Sequence, residues 1–273
     1  MAYANSVDLS YKEAMTTRAT SGGIPLGTRG TTPDGRVFRW AKNGAVALVA
    51  GLSVSPATFG LQSVLQTSEG TGIPPGTTVR TTENVLSIFG SFSTVGFSAN
   101  TYAGGYLLVG ATWDVGAPMA LKIKSHTAGV ATSALSSSNP CYVTLEDGVF
   151  PTTSINTSMG LSLVKSPYNG VLATPGIAVP LLPAVGVPIV AVDASYYFWL
   201  QTWGACMVRM AEVCSSGLTL GRGVFKSHTA ATTGCYVVGS SNYSVTESVS
   251  PIGILMTPGA AGGYAVVDLK ILP

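Results

Sequence analysis

Charge is what this chain has least of. Its 273 residues include 14 Lys and Arg and 12 Asp and Glu, so 10% are charged, about half the share of an ordinary soluble domain. The basic residues are scattered and the formal net charge is +2. With no cationic stripe to meet phosphates or anionic headgroups, neither nucleic acid nor a membrane is expected as a partner. Histidine is scarcer still, at His126 and His228 only. The four cysteines, Cys141, Cys206, Cys214 and Cys235, form no Cys-x-x-Cys pair. They define neither a metal knuckle nor a disulfide framework and read as reduced, buried thiols. Helical periodicity is nearly missing, since almost no segment keeps an apolar 3.6 period for three turns. Ser166 to Val192 holds no charge, but Pro175, Pro180, Pro183 and Pro188 would break any helix there, which excludes a helical membrane span and fits a linker with an edge strand. Met1–Asp8 has no basic segment followed by an apolar one, so the chain is expected to start in the cytosol.

The shortage of charge has a consequence for the exterior. Mean hydropathy is +0.40, and a monomer free in solution ordinarily keeps a charged, patch-free surface because neutral area invites association. A chain of this composition is better accounted for if protein partners cover much of it.

What the sequence does have is strand vocabulary. Arg36–Lys42, Tyr106–Val109, Met119–Lys124, Pro188–Val192, Tyr196–Thr202 and Tyr264–Ile271 are rich in Val, Ile, Leu and aromatics and are separated by Gly, Pro, Ser and Asn clusters; several alternate as half-buried strands do. Helix is expected at most over Leu9–Met15, capped by Asp8 or Ser10, and around Ala57–Gln66, which Gly60 interrupts. Gly70–Gly76 and the Ser-rich Ser91–Gly105 read as long surface loops.

An internal repeat organises the rest. Lys124-Ser-His-Thr-Ala128 precedes Cys141-Tyr-Val143, and Lys226-Ser-His-Thr-Ala230 precedes Cys235-Tyr-Val237. Upstream, Tyr106-Leu-Leu-Val with Thr112-Trp113 parallels Tyr197-Phe-Trp-Leu with Thr202-Trp203. The fold expected is all-β: two β-sandwich or barrel-like domains related by internal duplication, at residues 31–170 and 171–273. Residues 1–30, with little strand pattern before Ile24-Pro-Leu26, read as an extended N-terminal arm that lies across a neighbouring subunit.

No catalytic constellation emerges. Zinc would accept two His and two Cys, but His126, His228, Cys141 and Cys235 lie at unequal separations with no local pair to set geometry. Each His reads instead as a strand-end residue bonded by Ser and Thr hydroxyls. There is no Gly-x-Ser-x-Gly elbow. Glu146 and Asp147 are the only adjacent acids; in a strand they would face opposite ways, and they read as a turn with Gly148. Gly221–Ser227 lacks phosphate-loop spacing and reads as a hairpin. The aromatic run Tyr196–Trp203 has no basic neighbours and reads as core. No enzyme, metal or cofactor is expected.

Thr32-Pro-Asp-Gly-Arg-Val-Phe-Arg-Trp40, with Gly44, Ala45 and Gly51-Leu52 after it, resembles the opening of the decoration, or cement, proteins of tailed bacteriophages. Tyr197-Phe-Trp-Leu-Gln-Thr-Trp-Gly204, Pro251-Ile-Gly253 and Gly263-Tyr-Ala-Val-Val-Asp-Leu269 are similar to the same family; the Gly/Ser/Thr-rich middle has no such match. The resemblance implies a β-rich homo-oligomer, trimer or dimer, made in the host cytoplasm. It would bind the capsid exterior of the virion and tie major capsid protein subunits together, with no catalysis. The major capsid protein itself is a poorer match, since its common fold carries a long spine helix. The alternative is a tail, fibre or adhesin module that binds a host surface, which would show pocketed loop tips and a triple β-helix repeat.

Overall fold

The computed structural model describes residues 6–56, 61–65, 85–88, 97–110, 119–128, 141–147, 160–173, 183–211, 220–226, 234–237 and 251–271. In chain order these carry β1 (Ser6–Asp8), α1 (Tyr11–Ala14), β2 (Thr17–Arg18), β3 (Arg29–Thr31), β4 (Val37–Asn43), β5 (Val54–Ser55), β6 (Leu61–Leu65), β7 (Val85–Ile88) and β8 (Tyr106–Gly110). There follow β9 (Met119–His126), β10 (Cys141–Leu145), β11 (Gly160–Val164), β12 (Asn169–Ala173), β13 (Val187–Pro188) and β14 (Tyr197–Arg209). The last four are β15 (Gly223–Lys226), β16 (Cys235–Val237), β17 (Gly253–Thr257) and β18 (Tyr264–Lys270). The protein is mostly β, in two sheets, with one four-residue helix among the described residues.

Two compact units divide the chain, and they are not consecutive. The smaller takes Phe59–Ser166 with Met1–Tyr3, and the larger takes Ala4–Thr58 and Pro167–Pro273. The breaks fall at Thr58/Phe59 and at Ser166/Pro167. The reason is a long-range pairing. β4 runs antiparallel to the first half of β14, with Trp199 opposite Trp40 and Phe198 opposite Ala41, and this ties residues before the smaller unit to residues far after it.

In the larger unit the strand order is β1-β3-β4-β14-β18-β17-β15-β16, with β2 and β13 also on β14, β12 on β4 and β5 on β12. Only β1–β3 and β12–β4 are parallel pairs among the named strands of this unit. β14 serves two neighbours. Residues up to Trp203 pair with β4, and Trp203–Arg209 pair with β18. The change occurs at a bulge between Gln201 and Trp203, where Gly204 takes φ 84°. The buried Gln201 amide donates across this bulge toward the carbonyls of Trp203, Gly204 and Ala205 at 3.1, 3.3 and 2.9 Å. A bulge re-aims a strand at the cost of ladder hydrogen bonds, and here the two N–H groups of one carboxamide are shared among the three carbonyls around it.

The sequence pattern of β14 follows from this division. Phe198 to Thr202 are all buried, because both faces are covered there. On one side Trp40 packs against Trp199, ring centroids 4.9 Å apart, with Leu9, Ala14, Leu26 and Phe38 around them. On the other, Phe198, Leu200 and Ala41 meet Leu48, Val54, Tyr168, Val171, Val185 and Val192. Beyond the bulge burial alternates: Cys206 and Val208 face inward, Ala205 and Met207 outward.

The strands from β14 through β18, β17 and β15 to β16 come back on themselves. Met210, just after β14, bridges Cys235 of β16 in parallel, and Ala211 N–H donates to Cys235 O at 3.0 Å. Gly234 makes the approach feasible: at φ 148° a Cβ there would lie 2.5 Å from Ala211 N. The interior of this ring holds Cys206, Val208, Met210, Val224, Cys235, Val237, Leu255, Val267 and Leu269.

The described part of the expected arm, residues 6–30, is folded onto the larger unit. Ser10 and Glu13 make a reciprocal capping box on α1, with Ser10 N–H donating to the Glu13 carboxylate at 2.9 Å and Glu13 N–H to Ser10 Oγ at 3.2 Å. β1 pairs with β3, Leu9 N–H donates to Thr31 O, and Leu9, Ala14 and Leu26 are buried against Trp40. An arm across a neighbour would expose these apolar groups; folded back, they cover one face of the central tryptophans.

The smaller unit is one antiparallel sheet in the order β6-β11-β8-β9-β10-β7. The stretch read from sequence as a weak helix ends in strand β6, while Ala57–Gly60 lie outside the described residues. Leu107 faces Leu121, Val109 faces Met119 and Val143 faces Leu86 across the strands, and this apolar face is one continuous buried cluster. The Ser-rich segment is less superficial than expected: its Tyr102 is buried in that cluster and Phe97 packs beside it. Gly70–Gly76 and residues 91–96 lie outside the described residues.

The described parts of both repeated blocks lie on antiparallel strand pairs, β9–β10 and β15–β16, but the two are set differently; residues 227–230 lie outside the described residues. His126 pairs with Val143 in the first, whereas Lys226 pairs with Cys235 in the second. β8 adjoins β9, yet β14, its echo, is separated from β15 by β18 and β17. Tyr142 is exposed and Tyr236 buried.

We expect Gln201→Glu to destabilise the larger unit by about 3 kcal/mol or more at neutral pH, because a carboxylate would face three carbonyls in a buried site. Denaturant unfolding should show most of the loss recovered in acid, where the new side chain is protonated; an unchanged midpoint at pH 7 would contradict this role for the amide.

Candidate functional site

The residues with chemical potential are built into the two cores. His126 ends β9 and is buried. Its Nε2 accepts the Tyr102 backbone N–H at 2.9 Å, which assigns the ring proton to Nδ1, donating to Thr127 O at 2.6 Å. Phe97 and Tyr102 enclose the ring at 5.2 and 5.5 Å. Its partners are thus backbone groups rather than the hydroxyls expected from sequence; the Thr127 hydroxyl is occupied instead by Tyr142 N–H. Burial lowers the imidazole pKa, against a smaller opposing effect of the Thr127 bond. His126 is a neutral strap that fastens the Asn100–Tyr102 turn onto β9, and Asn100 completes it by accepting His126 N–H at 3.0 Å.

His126 and Cys141 belong to the smaller unit and Cys206 and Cys235 to the larger. His228 and Cys214 lie outside the described residues. Among the described residues no group of three or more His, Cys, Asp or Glu is placed to hold a metal ion, and no helix is long and apolar enough to cross a membrane. Burial raises the Cys141 thiol pKa and lifts that of Cys206 to about 12, so neither is an activated thiolate. Glu146 and Asp147 follow β10; Asp147 holds Lys124 at 2.9 Å, and burial pushes the Glu146 carboxyl up.

Sequence reasoning missed Lys226. It ends β15 inside the closed ring, buried, with Nζ donating to Ser55 Oγ of β5 at 2.9 Å and Cys235 opposite it in the strand register. Desolvation brings its pKa down to about 8, with Cys235 acting weakly the other way. One signal was available: Lys226 shares strand parity with the buried Val224.

The exposed features are apolar. On the larger unit, the outer face of β14, β18 and β17 presents Met207, Ile254, Met256 and Tyr264, which are 54, 42, 51 and 43% exposed, with Val266 directly opposite Met207. On the smaller unit, the face turned away from its core carries Tyr106, Val85 and Tyr142, and Lys122 sits 5.2 Å over the Tyr106 ring. These two faces, rather than a pocket, are the candidate functional surfaces. Comparison with protein-family models, curated proteins and solved structures finds no match to this chain.

Two pH dependences follow. The folded His126 ring binds its proton less readily than the unfolded ring, so stability should fall as pH drops below the ordinary value of 6.5, and His126→Gln should flatten that slope in urea titrations. For Lys226 the unfolded chain holds a proton between about 8 and 10.5 that the folded chain releases, so stability should rise across that interval. Lys226→Met should raise stability at pH 7 and abolish the rise; a destabilised variant would show that the amine is needed by the ring.

Proposed function

We propose that this protein is a structural component of a phage particle that seats on the outside of an assembled capsid and ties neighbouring major capsid subunits together, without catalysis or cofactor. The observation that carries the reading is the pair of sheet faces from which apolar and aromatic side chains stand outward, one on each unit, in a chain with 10% charged residues. Covering the apolar part of each face avoids the several kcal/mol that each buried unpaired charge would cost. Aromatic residues on a rigid sheet also lose little entropy on contact, and they are the usual anchors of protein interfaces. The resemblance of Thr32–Trp40 and of Tyr197–Gly204 to cement proteins selects the capsid among protein surfaces. Both resembling segments have structural work: Thr32–Gly35 is the turn into β4, held by Thr32 Oγ1 on Asp34 at 2.6 Å and Arg36 Nε on Asp34 at 2.7 Å, and Tyr197–Gly204 is the doubly covered half of β14.

In this reading the ring of the larger unit is a barrel-like body and the smaller unit presents a single sheet. The protein is made in the host cytoplasm and ends on the virion exterior. The smaller unit's outer face meets the shell through Tyr106 and Tyr142.

Mixing purified protein with capsids assembled from the phage's major subunit should add density at regular surface positions. Tyr106→Asp with Tyr142→Asp should reduce occupancy at least tenfold while shifting the unfolding free energy by no more than about 0.5 kcal/mol per substitution, as for other exposed sites. Protein that ignores capsids and binds the host envelope instead would overturn the capsid assignment in favour of an adhesin.

A further inference from the structure

In a chain so short of charge, β3 and β4 place two cations face to face. Arg29 stands directly opposite Arg39, and on the other side of β3 the parallel register sets Ser6 of β1 opposite Arg29. Directly paired residues share one face of a sheet with Cβ atoms about 5 Å apart, and like charges in that relation are destabilising. Arg39 does not turn away from its neighbour. Its Nη1 donates to Gly27 O at 3.1 Å, a carbonyl two residues before Arg29, so the guanidinium leans onto the strand that carries the other arginine.

Arg29 lacks the acceptor that a half-buried guanidinium ordinarily has. Its Nε is buried with no hydrogen-bond partner. The carboxylates nearest in sequence are placed elsewhere: Asp34 holds Arg36 at 2.7 Å, and Glu13 is engaged by Ser10. Asp8, two residues along β1 from Ser6 and in register with Thr31, makes no ion pair with Arg29 among the described residues. On the far side of Arg39 stands Leu200, fully buried, so the pair sits against an apolar wall that screens charge less than water does. A buried donor left unsatisfied costs free energy, and the repulsion adds to it; one anion held between the two side chains removes both.

We propose that Arg29, Arg39 and Ser6 form a binding site for one phosphate group. A carboxylate presents two oxygens in one plane, whereas a phosphate presents three or more in different directions, enough for two guanidinium forks and the Ser6 hydroxyl together. At neutral pH a phosphate monoester carries a charge of about −1.5 to −2, which matches the two arginines. Ser6 is exposed and both arginines are partly so, so the group enters from solvent without unfolding. Bound there, it ties β1 to the β3–β4 pair on the side of β4 opposite to Trp40. A nucleic-acid backbone would need a row of such contacts; a single pair suits a free ion or a phosphorylated small molecule. The site is independent of the capsid reading and survives its failure.

The test is calorimetric titration of the full chain with inorganic phosphate and, separately, with glycerol phosphate, in chloride buffer of matched ionic strength. Saturable binding of one phosphate per chain is expected, with a melting temperature that climbs as phosphate is added. Arg29→Met should weaken binding at least tenfold and, freed of the repulsion, unfold in chloride at a midpoint no lower than the parent's. Arg29→Lys keeps the charge without the fork and should weaken binding at least threefold. Lys12→Met, which removes one positive charge elsewhere in the same unit, should leave it within twofold; circular dichroism checks that each variant is folded. Binding of inorganic phosphate alone supports a site for the free ion, and binding of both supports one open to a phosphorylated molecule. No saturable heat with either, binding untouched by Arg29→Met, or an equal loss in Lys12→Met would overturn the proposal. So would an Arg29→Met midpoint well below the parent's, since the guanidinium would then already have its partner within the protein.

Discussion

The bulge in β14 is the constraint on which the larger unit depends. One thirteen-residue strand pairs with β4 along its first half and with β18 along its second, and its course changes where one partner gives way to the other. The bulge turns it, and the Gln201 amide keeps the turned backbone from burying carbonyls without donors, which would cost about 1–3 kcal/mol for each group left unsatisfied. Everything on either side follows: the tryptophan pair and N-terminal cap before the bulge, the closed ring and its outward apolar face after it.

Asn43 applies the same chemistry elsewhere. Its buried amide nitrogen lies 2.9, 3.3 and 2.9 Å from the carbonyls of Val46, Val192 and Asp193, fastening the end of β4 to the turn before β14, where Ser195 sits at φ 64°. With so few charges in the chain, neutral carboxamides do the work of joining irregular backbone, and they do it without the desolvation penalty an ion would carry. Lys226 is the exception, and its lowered pKa reflects that penalty.

Much of the architecture was legible. Arg36–Lys42, Tyr106–Val109, Met119–Lys124 and Tyr264–Ile271 read as strands because alternation along a half-buried sheet is written locally in residue order; β4, β8, β9 and β18 occupy those places within a residue or two. Asp8 and Ser10 were both legible as caps, and the reciprocal bonds with Glu13 three residues on select Ser10. The arm was misread because Leu9, Ala14 and Leu26 look sparse in sequence and acquire meaning only from Trp40 and Trp199, which β4 and β14 bring together. The duplicated blocks were legible as words and not as a plan, since strand order depends on pairings between distant segments.

The candidate surfaces divide along the same line. Composition by itself determined that the exterior is short of charge, because a count of ionisable side chains needs no fold, and period-two alternation determined that the chain is β. Only the tertiary structure decided that the smaller unit is inserted within the larger, that Lys226 is sealed beside Ser55, and that Met207, Ile254, Met256 and Tyr264 share one face. Those facts join residues tens to hundreds of positions apart, and the closure of β16 onto the end of β14, with the bulge that aims it, is what sets which side of each strand is buried and which is left for a partner.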